Sequence, residues 1–299
     1  MIGQLQHHWQ EYLMEAAGLG LFMISACVFT VLLMHPASPI GHWIVHPLLK
    51  RAVIGIAMGL TAIALIYSPW GKQSGAHFNP SVTLAFFRLG KVAAWDAFLY
   101  IVSQFLGAIT GVFICAILLA PWISDPQVNY AVTTPGSLGP RVAFISEFAI
   151  SFLLMTTVLL VSNSKKLPAF TGVFAGALVA TYITLEAPLS GMSMNPARTF
   201  GSALPPHIWS YLWVYFTAPP IGMLVAAEIY HRLAGTDNVM CAKLHHGTDK
   251  RCIFHCGYRA REFRRMLEVI EDMEAQTFAR TTAPPELAGR TSGRGEGTS

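Results

Sequence analysis

The chain has 299 residues, of which 53% are hydrophobic and only 12% charged; with a mean hydropathy of +0.48, a soluble globule would lack the polar surface to cover itself. The net charge of +4 comes from basic residues concentrated in the C-terminal tail, which excludes an extended nucleic-acid face. Of the five cysteines, Cys27 and Cys115 sit in apolar runs and Cys241, Cys252 and Cys256 crowd together near the end, a distribution that excludes an extracellular disulfide framework.

The first fifteen residues carry His and Gln but no Lys or Arg before an apolar core, and no small-residue cleavage site, so the first span is expected to stay in the mature protein. Apolar runs from about Tyr12 to Met34, Ala52 to Tyr67, Trp95 to Ala120, Val142 to Ser162, Pro168 to Leu185 and Ile208 to Leu233 predict six crossings of a lipid bilayer, each near the roughly 20 residues a helix needs. Breakers separate them at His35–Pro39, Ser68–Gly71, Pro121–Pro140 and Ser162–Lys166. Six crossings put both termini on one face. Lys72, Arg88, Lys91, Lys165, Lys166 and Arg232 fall on that face and predict that it is cytoplasmic, while Lys50, Arg51 and Arg141 on the other weaken the bias. Glycines at four-residue spacing, Gly55 with Gly59, Gly107 with Gly111 and Gly172 with Gly176, predict close helix contacts.

Two segments are related: Ser74-Gly75-Ala76-His77-Phe78-Asn79-Pro80-Ser81 and Ser190-Gly191-Met192-Ser193-Met194-Asn195-Pro196-Ala197. Their offset (195 − 79 = 116) is nearly that of Gly107 and Gly222 (222 − 107 = 115), so the chain reads as two copies of one unit, about 10–120 and about 140–233. Three crossings per copy is odd, so the second copy is inverted. After each Asn-Pro comes an apolar stretch too short to cross, Val82–Phe87 and Thr199–Leu204. Asn caps a helix and Pro suits its first position, so each reads as a half-helix. Entering from opposite faces, the pair brings two positive dipole ends together near the midplane. Irregular backbone at that depth survives only when buried in protein or lining a wet cavity, which implies a pore. The carbonyls before each Asn would form an accepting wall, with the Asn79 and Asn195 amides donating at its centre.

On these residues the chain resembles the aquaporin, or major intrinsic protein, family over about Tyr12 to Arg232. The resemblance implies an all-α membrane protein of six spans and two re-entrant half-helices, an inverted repeat of three plus three, assembled as a homotetramer in the cell membrane. It implies a passive channel for water and small neutral solutes, not an enzyme, needing no cofactor for transport. The pore-centre motifs are Asn79, Pro80, Ser81 and Asn195, Pro196, Ala197, with Ser81 departing from the family's usual alanine. The narrow ring is carried over to Arg198, Met58, Ile183 and Met192, with Gly59 as the alternative to Met58, and Tyr182 or Thr184 to Ile183. That ring lacks the aromatic and histidine usual in strict water channels. Two methionines and an isoleucine make it apolar and deformable, which would bring glycerol, ammonia, hydrogen peroxide or urea within reach. Thr199, Ala203 and the pair Tyr215-Phe216 instead resemble water channels, leaving solute range open.

Glu15 and Glu147 occupy equivalent places in the two copies. They are expected to buttress the loops before each Asn, and His77 to tie down the first loop; a secondary transporter would use the same carboxylates as proton relays.

Beyond residue 233 the composition turns polar. Within 234–280, Cys241 with His245 and Cys252 with Cys256 have metal-ligand spacing, with His246 and His255 as alternates. Zinc suits that set; the other reading is reduced thiols beside unrelated histidines, and a membrane-anchored metal sensor is the corresponding functional alternative. Phe263, Met266, Leu267, Ile270 and Met273 recur at helical spacing and predict an amphipathic helix. The end, 281–299, is rich in Pro, Gly, Ser and Thr and is expected to be disordered.

Overall fold

The computed structural model describes residues 2–246 and 249–282. The first copy contains α1 (Ile2–Met34), the short α2 (Pro39–Trp43), α3 (Pro47–Tyr67), α4 (Pro69–Ser74), α5 (Pro80–Arg88) and α6 (Ala94–Leu118). The second contains α7 (Pro140–Ser162), α8 (Thr171–Leu185), α9 (Ala187–Ser190), α10 (Pro196–Ala203) and α11 (Leu212–Ala234). Among the described residues six helices are long and apolar enough to cross a membrane, each overlapping one of the six predicted spans, and no strand is present.

α1, α3 and α7 begin before their apolar runs. α1 begins about ten residues before Tyr12, because its polar first turns are tied to α6: His8 Nδ1 meets Asp96 Oδ1 at 2.8 Å and the Tyr12 hydroxyl donates to the same oxygen at 2.6 Å. Hydropathy marks the part of a helix that faces lipid, whereas its length follows from backbone bonding and such anchors. The last span starts at Leu212 rather than Ile208, after Tyr211 in a left-handed conformation.

Packing repeats between the copies. α1 lies against α6 as α7 lies against α11, and α3 meets α8 across the centre. Each half-helix crosses to the other copy, α5 onto α11 and α10 onto α6. Glycine permits the closest approaches: a Cβ at Gly222 would stand 2.5 Å from the Phe148 carbonyl oxygen, and its mate Gly107 rests on the Ala16 backbone in the same way.

The chain forms two compact units, Met1–Gly257 and Tyr258–Ser299. The expected amphipathic helix forms as α12 (Gly257–Thr282), with Phe263, Met266, Leu267, Ile270 and Met273 exposed. The predicted disordered end lies outside the described residues, apart from Thr281 and Thr282, which close α12.

Candidate functional site

The two Asn-Pro segments open their half-helices by one local mechanism. Asn79 Oδ1 accepts the Ser81 N–H at 2.9 Å, and Asn195 Oδ1 accepts those of Ala197 and Arg198, each at 3.1 Å. Pro80 and Pro196 occupy the first turn, where no N–H is needed. The expected half-helices start at these prolines, earlier than the apolar stretches that signalled them.

Before each Asn the backbone turns back on itself in the left-handed region, at Gly75 (φ 97°), Ala76 (57°) and Phe78 (46°), and at Gly191 (79°), Met192 (54°) and Met194 (54°). The positions match one for one at the 116-residue offset (191 − 75, 192 − 76, 194 − 78). For the residues with a side chain this conformation costs on the order of 1–3 kcal/mol each, so something must hold it. Glu15 and Glu147 do. Glu15 accepts the Ser74 hydroxyl (2.8 Å), the His77 N–H (3.1 Å), the Phe78 N–H (2.7 Å) and the Gln104 amide (2.8 Å). Glu147 accepts the Ser190 hydroxyl (2.8 Å) and the N–H groups of Ser193 and Met194, each at 2.7 Å. Both carboxylates are fully buried.

A further pair was not legible as a pair in the sequence. The Tyr100 hydroxyl donates to the Ser74 carbonyl at 2.7 Å and the Tyr215 hydroxyl to the Ser190 carbonyl at 2.5 Å. The Gly107 to Gly222 offset (222 − 107 = 115) relates these tyrosines too (215 − 100 = 115), and applying it along the third span of each copy would have found Tyr100.

At the junction each Asn amide reaches the opposite loop. Asn79 Nδ2 donates to the Met194 carbonyl at 2.7 Å and Asn195 Nδ2 to that of Phe78 at 2.8 Å. One hydrogen of each amide clamps the loops together, and an amide carries two.

Around the junction lies a cavity of about 370 Å³. Met58, Ile183, Met192 and Arg198 all line it. The alternatives do not: Gly59 faces Gly176 and Ala180 on α8, and the Thr184 hydroxyl donates to the Ala180 carbonyl. Arg198 Nη1 is buried and has no hydrogen-bond partner among the described residues. The 121–139 connection, read in the sequence only as a separator, also contributes Gln127, Val128, Ala131 and Val132 to the lining. It is anchored where the Thr133 and Thr199 hydroxyls meet at 2.8 Å and where the Gly136 N–H donates to the Leu189 carbonyl at 2.9 Å.

His77 is where the copies differ, since its mate is Ser193. Its Nδ1 meets the Thr83 hydroxyl at 3.1 Å and its Nε2 the Ala242 carbonyl at 2.9 Å. A carbonyl only accepts, so the proton sits on Nε2. The first loop is thus tied to the tail, which the second loop is not.

In the tail the metal-ligand expectation needs one correction. The ligand atoms of Cys241, His246, Cys252 and Cys256 lie within 4.8 Å of one another. His246, an alternate, takes the place given to His245, whose ring instead packs edge-on against Tyr67 with centroids 5.0 Å apart. The His255 ring meets the Gly90 carbonyl at 2.8 Å and is not part of the cluster. Ligand spacing admits either neighbour, and the contact with Tyr67 takes the His245 ring away from the sulfurs. Burial lowers the His246 pKa, but hydrogen bonds and charge from Cys252 and Cys256 outweigh it and raise the group to about 9.

The family model for the major intrinsic proteins matches residues 3–230. A probable aquaporin of the NIP type from Nicotiana alata is 34% identical over 62% of this chain and 66% of its own, so the match spans slightly under two thirds of that relative. Aquaporin AqpM from Methanothermobacter thermautotrophicus is 33% identical over 65% of this chain and 78% of its own. The X-ray structure of the aquaglyceroporin from Plasmodium falciparum superposes with a TM-score of 0.61 at 22% identity, covering 75% of this chain and 96% of that one, a likeness of fold. Mirrored buttresses, mirrored loops and a match running through nearly all of the six-span region agree: the chain belongs to the major intrinsic protein family, the family of the aquaporins.

Proposed function

We propose that the protein is a passive transmembrane channel for water and small uncharged solutes, with its pore in the cavity between Asn79 and Asn195. The observation that carries this reading is the pair of capped half-helices meeting at one cavity, each Asn keeping an amide hydrogen beyond the one that clamps the loops. A water at the junction accepts from these donors and turns its own hydrogens outward, which interrupts a proton wire. The two positive helix ends repel cations.

Met58, Ile183, Met192 and Arg198 form the proposed selectivity ring. Arg198 supplies a fixed charge and donors to a passing oxygen; the thioethers and the isoleucine yield to solutes wider than water, such as glycerol, ammonia, hydrogen peroxide or urea. Both termini lie on the cytoplasmic side of the cell membrane in this reading, supported by the basic residues next to the spans. The assembly is a homotetramer with one pore per chain, as the family resemblance implies. Transport involves no covalent step and no cofactor; the zinc expected from the Cys/His cluster belongs to the tail.

A secondary transporter is disfavoured by the occupancy of its candidate relays. Each oxygen of Glu15 already accepts two bonds, and Glu147 accepts three in all. Stopped-flow light scattering on proteoliposomes tests the channel: water flux above bare lipid is expected, and bare-lipid flux refutes it.

A further inference from the structure

The tail segment between α11 and α12 is inserted into the channel domain instead of trailing from it. Val239, Met240, Cys241, Ala242, Lys243 and Leu244 are all buried, although they follow the last span. The Leu244 N–H donates to the Gly75 carbonyl at 3.1 Å, adding the tail to the first loop. His77 holds the Ala242 carbonyl, and the Phe254 ring stacks on His77 with centroids 5.4 Å apart at 13°. Lys243 Nζ donates to the carbonyls of Lys72 (2.9 Å) and Arg251 (2.6 Å). The Met240 N–H donates to Asn163 Oδ1 at 2.7 Å, and the His255 N–H to the Lys91 carbonyl at 3.0 Å. Leu244 thereby lines the cavity together with Leu65 and Ile66, at the mouth on the side of the termini.

Among its described residues the same segment has a single 3-10 turn, Thr236–Asn238, and no longer helix or strand to keep it folded. What converges inside it is the Cys241, His246, Cys252 and Cys256 cluster. Cys241 Sγ and Cys252 Sγ are 3.6 Å apart, and Cys256 Sγ is 3.1 Å from His246 Nε2. A tetrahedral zinc with bonds of about 2.3 Å to sulfur sets its ligand sulfurs about 3.8 Å apart. The observed sulfur separation is close to that edge. Three thiolates on a divalent ion leave a net negative charge, and Lys243, whose Nζ donates to the carbonyl of Arg251, brings a positive charge to the backbone next to Cys252.

We propose that Cys241, His246, Cys252 and Cys256 bind one zinc ion, and that the ion clasps residues 239–246 to residues 249–257 as a lid that narrows the termini-side mouth through Leu244. Binding replaces the three thiol protons and the proton on the coordinating nitrogen of His246, all of which leave to solvent, and involves no change of oxidation state. The clasp joins the stretch that carries Leu244 to the stretch that carries Phe254, adding coordinate bonds to the Lys243–Arg251 hydrogen bond that already links them and to the hydrogen bonds and ring contacts that hold both to the channel. Removing the metal should therefore release Leu244 and widen the mouth. The lid half of the proposal rests on the channel reading above, whereas the metal half does not.

The test uses full-length protein in detergent and in proteoliposomes. Zinc is measured by mass spectrometry, and cobalt(II) exchanged into the site reports thiolate ligation by its charge-transfer absorption. Near-stoichiometric zinc and a sulfur-to-cobalt band are expected in the wild type, both lost in Cys252→Ser with Cys256→Ser. Zinc content at the level of that double variant, or cysteines found oxidised in pairs, overturns the site. For the lid, chelation is expected to raise water flux several-fold in the wild type, to the level shown by Leu244→Ala without chelator. Leu244→Ala should keep its zinc and lose most of its response to chelation. Zinc bound, with flux above bare lipid but insensitive to chelation, overturns the lid. Zinc bound, with bare-lipid flux both before and after chelation and in Leu244→Ala, overturns the lid and the channel reading together while leaving the metal site standing.

Discussion

Replacing Glu147 with glutamine separates the charge of the side chain from its shape. The carboxylate accepts the Ser190 hydroxyl and the Ser193 N–H on one oxygen and the Met194 N–H on the other. Glutamine keeps one accepting oxygen but puts an amide donor where the other was. In the better orientation it retains the first two bonds and sets N–H against the Met194 N–H. One charge-assisted hydrogen bond is lost, about 1.5–3 kcal/mol. That loss shifts the balance between formed and unformed loop by roughly 10- to 140-fold. Met192 and Met194, held at positive φ, are the residues released. Glu147→Gln is expected to lower the thermal unfolding midpoint of the detergent-solubilised protein and to reduce water flux per chain, the two changing together. A relay carboxylate would behave differently: the variant would keep wild-type stability and lose only proton-coupled flux. Wild-type unfolding and wild-type water flux in Glu147→Gln would refute the buttress argument.

Tyr100→Phe and Tyr215→Phe each remove one hydroxyl from a buried loop carbonyl, an expected cost of about 1 kcal/mol apiece; calorimetry should find the two similar, and a large difference would contradict equivalent roles. Gly222→Ala sets a Cβ 2.5 Å from the Phe148 carbonyl oxygen and should destabilise the α7–α11 contact by about 1–3 kcal/mol, whereas Gly3→Ala, with nothing within 4 Å of its Cβ, serves as the unaffected control in the same unfolding assay. Arg198→Val removes the fixed charge and widens the ring, so the ratio of glycerol to water flux should rise and vesicle conductance to cations should appear; an unchanged ratio would remove Arg198 from the selectivity argument. His77→Ser copies the residue at position 193 and deletes the bond to the Ala242 carbonyl, so hydrogen exchange should rise in 239–246; unchanged exchange there would mean that His77 does not hold the tail.

Much of the fold was written in the chain. Long apolar runs have few alternatives to membrane helices, because each backbone polar group in lipid must be satisfied within its own helix. The two Asn-Pro segments specified both half-helix starts, since a cap and a first-turn proline act within four residues and need no tertiary context. The matched positions of Glu15 and Glu147 were equally readable, and the structure places both carboxylates on the loops they were expected to hold.

Other features depended on contacts distant in sequence. That one hydrogen of each Asn amide is spent on the opposite loop follows from two segments 116 residues apart approaching within bonding distance (195 − 79 = 116). The resemblance to the family left Met58 against Gly59 unresolved, because one residue more or less in the loop after the span shifts the match by one position; α8 takes the Gly59 face and leaves Met58 to the cavity. The substitution of His246 for His245 is likewise decided in the folded chain, since the tail's path is set by Lys72, Gly75 and Lys91. Local chemistry decided which elements form, and the packing of the two copies and the tail decided which side chains share the cavity: capping and burial in lipid act within a segment, whereas a cavity wall is assembled from segments that meet only in the folded chain.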